Sequence, residues 1–258
     1  MTRNNLRPIV KSLYAIQKMR IETANRLELK ADGSRQDKDN VLLNDDSVMI
    51  MVDVLQDMQD SEEKLKKHIS KIVHHHSLWT GFLKHVKGCG ELMAAVIISE
   101  IDIEKATTVS KIWQYAGMNP KAVKGTKGSG SKKDGTFELV KTDDLVRGDR
   151  LTPGYLSPYN SFLKTKLLGV LGSSFIKCNS PYRKYYDDMK TRLENSDRQI
   201  SGKGKSWSET TKMHRHNAAN RYMVKMFLKD LYVAWRTVEG LPVRPSYQEE
   251  YLGHRHAG

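Results

Sequence analysis

A mostly α-helical protein is what this sequence predicts, and three features predict it. Apolar residues recur near helical spacing at both ends of the chain, Leu6, Ile9, Leu13 and Ile16 early and the FLKDLYVAW stretch late. Gly117, Pro120 and Gly240 stand where helices should stop. Only TFELV, near residue 138, reads as a short strand. The expected architecture has four parts. Residues 1–78 form a long helical hairpin and 79–120 a helix-hairpin-helix module. Residues 121–158 form a basic Gly/Ser/Lys-rich loop, and 159–258 a C-terminal helical bundle.

The first helix spans about residues 5–30 and ends in LKADGSRQDKDN, which is glycine-bearing and polar. A second begins near Asp45 or Asp46, either of which can cap it, and carries Val48, Met51, Val52, Leu55 and Met58 on one face. Asp53, Asp57 and Asp60 fit its solvated side. Two long helices joined by a loop suggest an antiparallel pair, and this pair is the expected contact between subunits. His74, His75 and His76 close it. Consecutive histidines point to different sides of a helix, so they read as a polar helix end rather than a metal site.

The module that follows is SLWTGFLKHV, then Lys87-Gly88-Cys89-Gly90, then ELMAAVIISEI. Glycines permit positive φ and a close backbone approach, and N–H groups at a helix start favour an anion. Such a turn suits a sugar-phosphate backbone and reads no bases. Glu91 counts against it, since a carboxylate repels phosphate. The alternative is an ordinary helical hairpin with a glycine turn.

After a short helix ending at Gly117, KAVKGTKGSGSKKDG carries almost no apolar residue. SFLKTKLLGVLGSSFIKC reads as a core helix, and PYRKYYDDMKTRLEN opens on a proline suited to a first helical turn. The stretch from Glu209 to Gly240 is one long helix. Trp79, Trp113 and Trp235 read as core. Tyr182, Tyr185 and Tyr186 are either core aromatics or stacking surfaces for exposed bases.

The formal net charge is +13 over 258 residues, which favours a polyanionic partner. Cys89 and Cys178 form no disulfide or zinc framework. No run approaches the roughly 20 apolar residues of a membrane span. The expectation is a cytoplasmic, nucleoid-associated protein of prokaryotic or viral origin, with no membrane partner, no metal and no cofactor.

The run FLKHVKGCGELMAAVIISEIDIEKATTVSKIWQYAGMNP resembles the C-terminal domain of the IS-one-ten type insertion-sequence transposases. The pattern is the Gly-x-Gly hairpin, an Ala-bearing helix, and Ser110-Lys111-Ile112-Trp113-Gln114-Tyr115-Ala116-Gly117-Met118-Asn119-Pro120. Downstream, FLKTKLL, NSPYRKYYDDMKTRLE and HNAANRYMVKMFLKDLYVAWR resemble later family segments. The resemblance spans about residues 80–240, with an insertion near 121–158. It implies DNA strand exchange, a RuvC-like acidic metal domain, a serine nucleophile and an RNA guide. Residues 1–78 read as helices, not as that acidic domain. The family's serine precedes a glycine, which points to Ser129 of Ser129-Gly130, later than the family places it. A linker serine is the alternative, and Lys124-Gly125 stands nearer the family's position.

The expected function is binding of duplex or branched DNA through the hairpin, as a homo-oligomer. The alternatives are a serine-dependent recombinase subunit needing a metal-bearing partner, and a protein that binds structured RNA. The candidate nucleic-acid contacts are Lys84, Lys87, Gly88, Cys89, Gly90 and Lys111, then Lys121, Lys124, Lys127, Lys132 and Lys133, then Lys203, Lys205, Arg215 and Arg221. Lys212 and Lys225 extend the last cluster, and His214 is taken as a surface residue.

Overall fold

The computed structural model describes residues 3–26, 28–29, 35–36, 45–130, 135–200 and 204–245. It is mostly helical and divides into two compact units, Met1–His76 with Ala94–Glu100, and Ser77–Met93 with Ile101–Gly258.

The first unit contains α1 (Arg3–Arg26), a two-residue strand pair of β1 (Glu28–Leu29) and β2 (Arg35–Gln36), and α2 (Asp45–His74). The later residues of α4 (Glu91–Glu100) also belong to it. Leu6, Val10 and Leu13 recur every three or four residues and are buried, as are Ile69 and Val73 of α2. Gln17 and Arg20 both reach Glu62, which lays α1 along α2. Burial raises the Glu62 carboxyl, but Lys66 and Arg20 outweigh it and hold it below its usual range. Glu100 is fully buried, with Arg7 at 3.3 Å and Lys11 at 3.1 Å. Both buried carboxylates are therefore paired, as their desolvation requires. Residues Ala94 to Ile98 of α4 are buried on every side. Of the apolar face expected on α2, Val48, Met51, Leu55 and Met58 are half-buried and Val52 is exposed, while Met49 and Ile50, outside that face, stay 66% and 64% exposed.

The second unit is organised by α9 (Lys212–Val238), which packs against α3 (Ser77–Gly81), α5 (Val109–Tyr115), α7 (Gly172–Lys177) and α8 (Arg183–Glu194). Phe175, Phe227, Leu163, Leu167, Leu171 and Tyr232 form its core. The sequence-expected core helix from Ser161 is α6 (Ser161–Thr165), a π-helical turn (Lys166–Leu171) and α7 in one continuous run. A π turn breaks the regular ladder of backbone bonds. Here the Asn220 amide donates to the Leu168 carbonyl at 3.0 Å, and a side chain at Gly172 would collide with that amide.

Helix stops follow the predicted residues. Gly117 is left-handed at φ 66°, and Met118 N–H reaches Trp113 O while Gly117 N–H reaches Gln114 O. Gly240 repeats this at the end of α9. Asn179, at φ 51°, does the same after α7, because asparagine tolerates this region better than other side chains.

Two expectations are corrected. SLWTGFLKHV is not one helix: α3 stops at Gly81, Phe82 leaves helical geometry, and Leu83–His85 form a 3-10 turn. Gly81 sits against Val238, whose methyl lies 3.0 Å from where a side chain would begin. The second correction concerns the 121–158 stretch, which is largely a β-ribbon rather than a loop. β3 (Ala122–Ser129) pairs antiparallel with β4 (Glu138–Arg147). Composition hides it because the strands' glycines are covered by rings from elsewhere in the segment. Side chains at Gly125 and Gly128 would strike Tyr155 and Phe137 at 2.5 and 2.6 Å.

Candidate nucleic-acid interface

The glycine turn does two different jobs. Gly88 has φ 95°, and a side chain there would meet Cys178 Sγ at 2.8 Å and the Phe175 ring at 3.0 Å. Its carbonyl accepts the Ser174 hydroxyl at 2.8 Å. Gly88 is therefore a packing glycine, facing α7. Cys89 is buried and its N–H donates to Val86 O, so neither is open to a ligand. Burial pushes its thiol up to about 12, which keeps it protonated and inert. Gly90 is exposed, with open space where a side chain would stand, and Lys84 and Lys87, shortly before it in the chain, are exposed too. Of the predicted turn, the outward-facing parts are thus Lys84, Lys87 and Gly90, where α4 begins.

The ribbon carries Lys124 and Lys127 on one strand and their counter-ions on the other. Lys124 meets Asp143 at 2.7 Å, and Lys127 meets Asp144 at 3.3 Å. Tyr155 donates to Asp144 at 2.6 Å, and Lys127 lies over the Tyr155 ring. The Tyr155 hydrogen bond, then Lys127, lower the Asp144 carboxyl. Both lysines are thus already engaged with carboxylates. Ser129 is exposed near the ribbon tip and pairs with Glu138. The next residue, Gly130, has φ 79° and admits no side chain, because Thr136 O would lie 2.2 Å away. Among the described residues no side chain hydrogen-bonds to the Ser129 hydroxyl.

A third group is assembled only by folding. Asp149 is buried and holds Arg147 through both carboxylate oxygens, at 3.0 and 3.2 Å. Arg221 stands 3.7 Å away, and Lys164 donates to the Asp149 carbonyl at 2.6 Å. Lys225 lies 4.2 Å over the Trp113 ring and Lys164 4.3 Å over Tyr159. Burial, then Arg221, push both lysines below their usual range, partly offset for Lys164 by Asp149. Burial raises the Asp149 carboxyl, but Arg147, Arg221 and Lys164 outweigh it and hold it low. The Arg221 Nε is buried without a partner among the described residues. Cations outnumber carboxylates here, and Arg221 is 39% exposed, so an anion can approach. Lys164 and Arg147 were not legible as site residues. Each lies far in sequence from Arg221, and no local pattern joins them.

The remaining candidates separate. Lys111, Lys121 and Lys205 are exposed. Lys132, Lys133 and Lys203 lie outside the described residues. Arg215 is corrected: it is 9% exposed, and its guanidinium donates to the carbonyls of Ser208 and Thr210. It pins the turn before α9 because burying a guanidinium demands such acceptors. Tyr186 is core and bonds His216 at 2.7 Å. His214 stacks on Trp207. Among the described residues, no group of three His, Cys, Asp or Glu side chains is placed to hold a metal, and no helix is long and apolar enough to cross a membrane.

The fold and these groups define a mostly helical, strongly basic protein. Residues 81–138 match the Transposase IS116/IS110/IS902 family. The match runs from the end of α3 through the glycine turn, α4, α5 and β3 to the start of β4, less than a quarter of the chain. No curated protein and no solved structure matches. The family likeness supports a transposase-related role.

Proposed function

We propose that this protein binds DNA, gripping the sugar-phosphate backbone at the glycine turn and at the cations around Asp149. The observation that carries the reading lies within the transposase-type segment. There Gly90 stands open at the start of α4, and Lys84 and Lys87, shortly before it in the chain, are exposed. A phosphate at such a helix start meets N–H groups and a favourable dipole. The cluster of Arg147, Lys164, Arg221 and Lys225 would neutralise further phosphates, releasing counterions and making binding steeply salt-dependent. The long helices of the first unit supply a contact between copies, supported by the exposed Met49, Ile50 and Val52. Light scattering that returns a monomer with and without DNA contradicts that contact.

The test is binding to duplex DNA, single-stranded DNA, a four-way junction and structured RNA across a salt series, for the parent and Gly90→Glu. Loss of binding in a folded Gly90→Glu protein supports the turn as a phosphate contact. Equal binding removes the turn from the reading, and tighter binding of RNA at matched salt assigns the partner to RNA. A second reading, a recombinase subunit whose metal site comes from another protein, is favoured by the exposed Ser129 beside its obligatory Gly130. It requires that Ser129→Ala abolish strand cleavage while leaving binding intact.

A further inference from the structure

A cleft of about 310 Å³ opens in the second unit, between the glycine turn and the start of α8. Phe82 and Lys87 line it on the turn side, and Ser180, Lys184, Tyr185 and Asp230 also line it. Tyr182 completes a fixed wall: it stacks on Phe175 at 5.2 Å and donates to Asp230 at 2.8 Å. Lys184 lies 5.0 Å over the Tyr185 ring. Ser180 is only 3% exposed, yet its hydroxyl has no partner among the described residues. A buried hydroxyl left unpaired is costly and asks for a ligand atom.

We propose that this cleft receives one unpaired nucleotide of a bound nucleic acid. The inference rests on the nucleic-acid reading above and adds the chemistry of a second contact. An inorganic phosphate would use Lys87 and Lys184 but would waste the aromatic wall and face Asp230. An apolar ligand would strand the lysines and the Ser180 hydroxyl. A nucleotide uses all of them. Its base stacks on Tyr185, an aromatic face that tolerates any base. Its exocyclic amine or ring N–H donates to Asp230, and its phosphate meets Lys87 and Lys184. The volume lies at the small end of ligand pockets and admits one nucleotide, not a base pair. An enzyme or binder that takes a base out of the stack meets the least cost where the base is already unpaired. The site therefore favours bulged or frayed substrates over continuous duplex.

The experiment uses the full chain and a DNA duplex carrying a single bulged 2-aminopurine, its fully paired counterpart, and the same bulge in RNA. The bulged DNA is expected to bind about tenfold tighter than the paired duplex, with 2-aminopurine fluorescence quenched by stacking. Tyr185→Ala and Ser180→Ala should each erase the preference and the quench while leaving paired-duplex binding unchanged. Ser180→Ala removes only a hydroxyl that no group among the described residues engages, so it should fold normally. Melting curves check both variants, and Lys184→Gln replaces Tyr185→Ala if that protein unfolds. A stronger effect with the RNA bulge supports the cleft and assigns its nucleotide to RNA. Equal binding of bulged and paired DNA and RNA, without quenching, overturns the cleft proposal and leaves backbone binding standing. Absence of binding to every substrate at low salt overturns both.

Discussion

Replacing Gly88 by alanine should destabilise the second unit by about 2–5 kcal/mol. Two contributions add. The left-handed backbone at φ 95° costs a side-chain-bearing residue about 1–2 kcal/mol. The new methyl would also stand 2.8 Å from Cys178 Sγ, 3.0 Å from the Phe175 ring and 3.2 Å from Ser174 Oγ. Overpacking of that kind costs about 1–3 kcal/mol. Gly90→Ala is the control, since nothing lies within 4 Å of its new methyl. It should change stability by less than about 1 kcal/mol. Urea denaturation of the parent and both variants measures the difference. Cys178→Ala should restore part of the loss in Gly88→Ala, because it removes the nearest clash but not the backbone strain. A Gly88→Ala protein as stable as the parent, with the Cys178→Ala background making no difference, would refute the assignment of Gly88 to packing. The same logic makes Gly90, not Gly88, the position at which to test phosphate binding.

Three further outcomes follow from the groups described. Arg221→Ala should weaken DNA binding and reduce the slope of log K against log salt by about 1, read from filter-binding or anisotropy titrations; an unchanged slope removes it from the interface. Arg215→Met should lower stability by about 2–3 kcal/mol, because it strands the Ser208 and Thr210 carbonyls, yet leave the salt slope of binding unaltered. Asp149 has a folded pKa below its unfolded value of about 3.9, so its stabilising contribution is present above that pH and is lost as pH falls through the folded pKa. Asp149→Asn should therefore be less stable than the parent at neutral pH, with the gap closing below about pH 4; a gap that stays constant to pH 2 contradicts the linkage.

Periodicity and stop signals carried much of the fold. Helices α1, α5 and α9 stand where apolar spacing and Gly117 or Gly240 put them, because those signals are local: one residue's φ or one turn's spacing settles each; α8 begins at Arg183, two residues after the proline expected in its first turn. The ribbon was not legible for the opposite reason. Its β3 strand is AVKGTKGS, and what makes it a strand is pairing with β4 and rings laid over its glycines. The candidate site divides the same way. The Gly-x-Gly signature and the resemblance it carried were visible in residues 81–138, where the transposase family matches. That Gly88 points inward and Gly90 outward was not visible, since a glycine's spacing does not say which neighbour it meets.

The sequence by itself determined the helical class, the excess of positive charge, the helix ends at Gly117 and Gly240 and the likeness of residues 81–138 to transposases, since each resides in composition or in a few consecutive residues. Only the tertiary structure decided which charges face solvent. It buried Arg215, tied Lys124 and Lys127 to aspartates, drew Arg147, Lys164 and Arg221 together around Asp149, and set Lys225 over Trp113. Burial and proximity between residues far apart in the chain arise from packing, and packing sets how strongly each charge is desolvated and which partner it keeps.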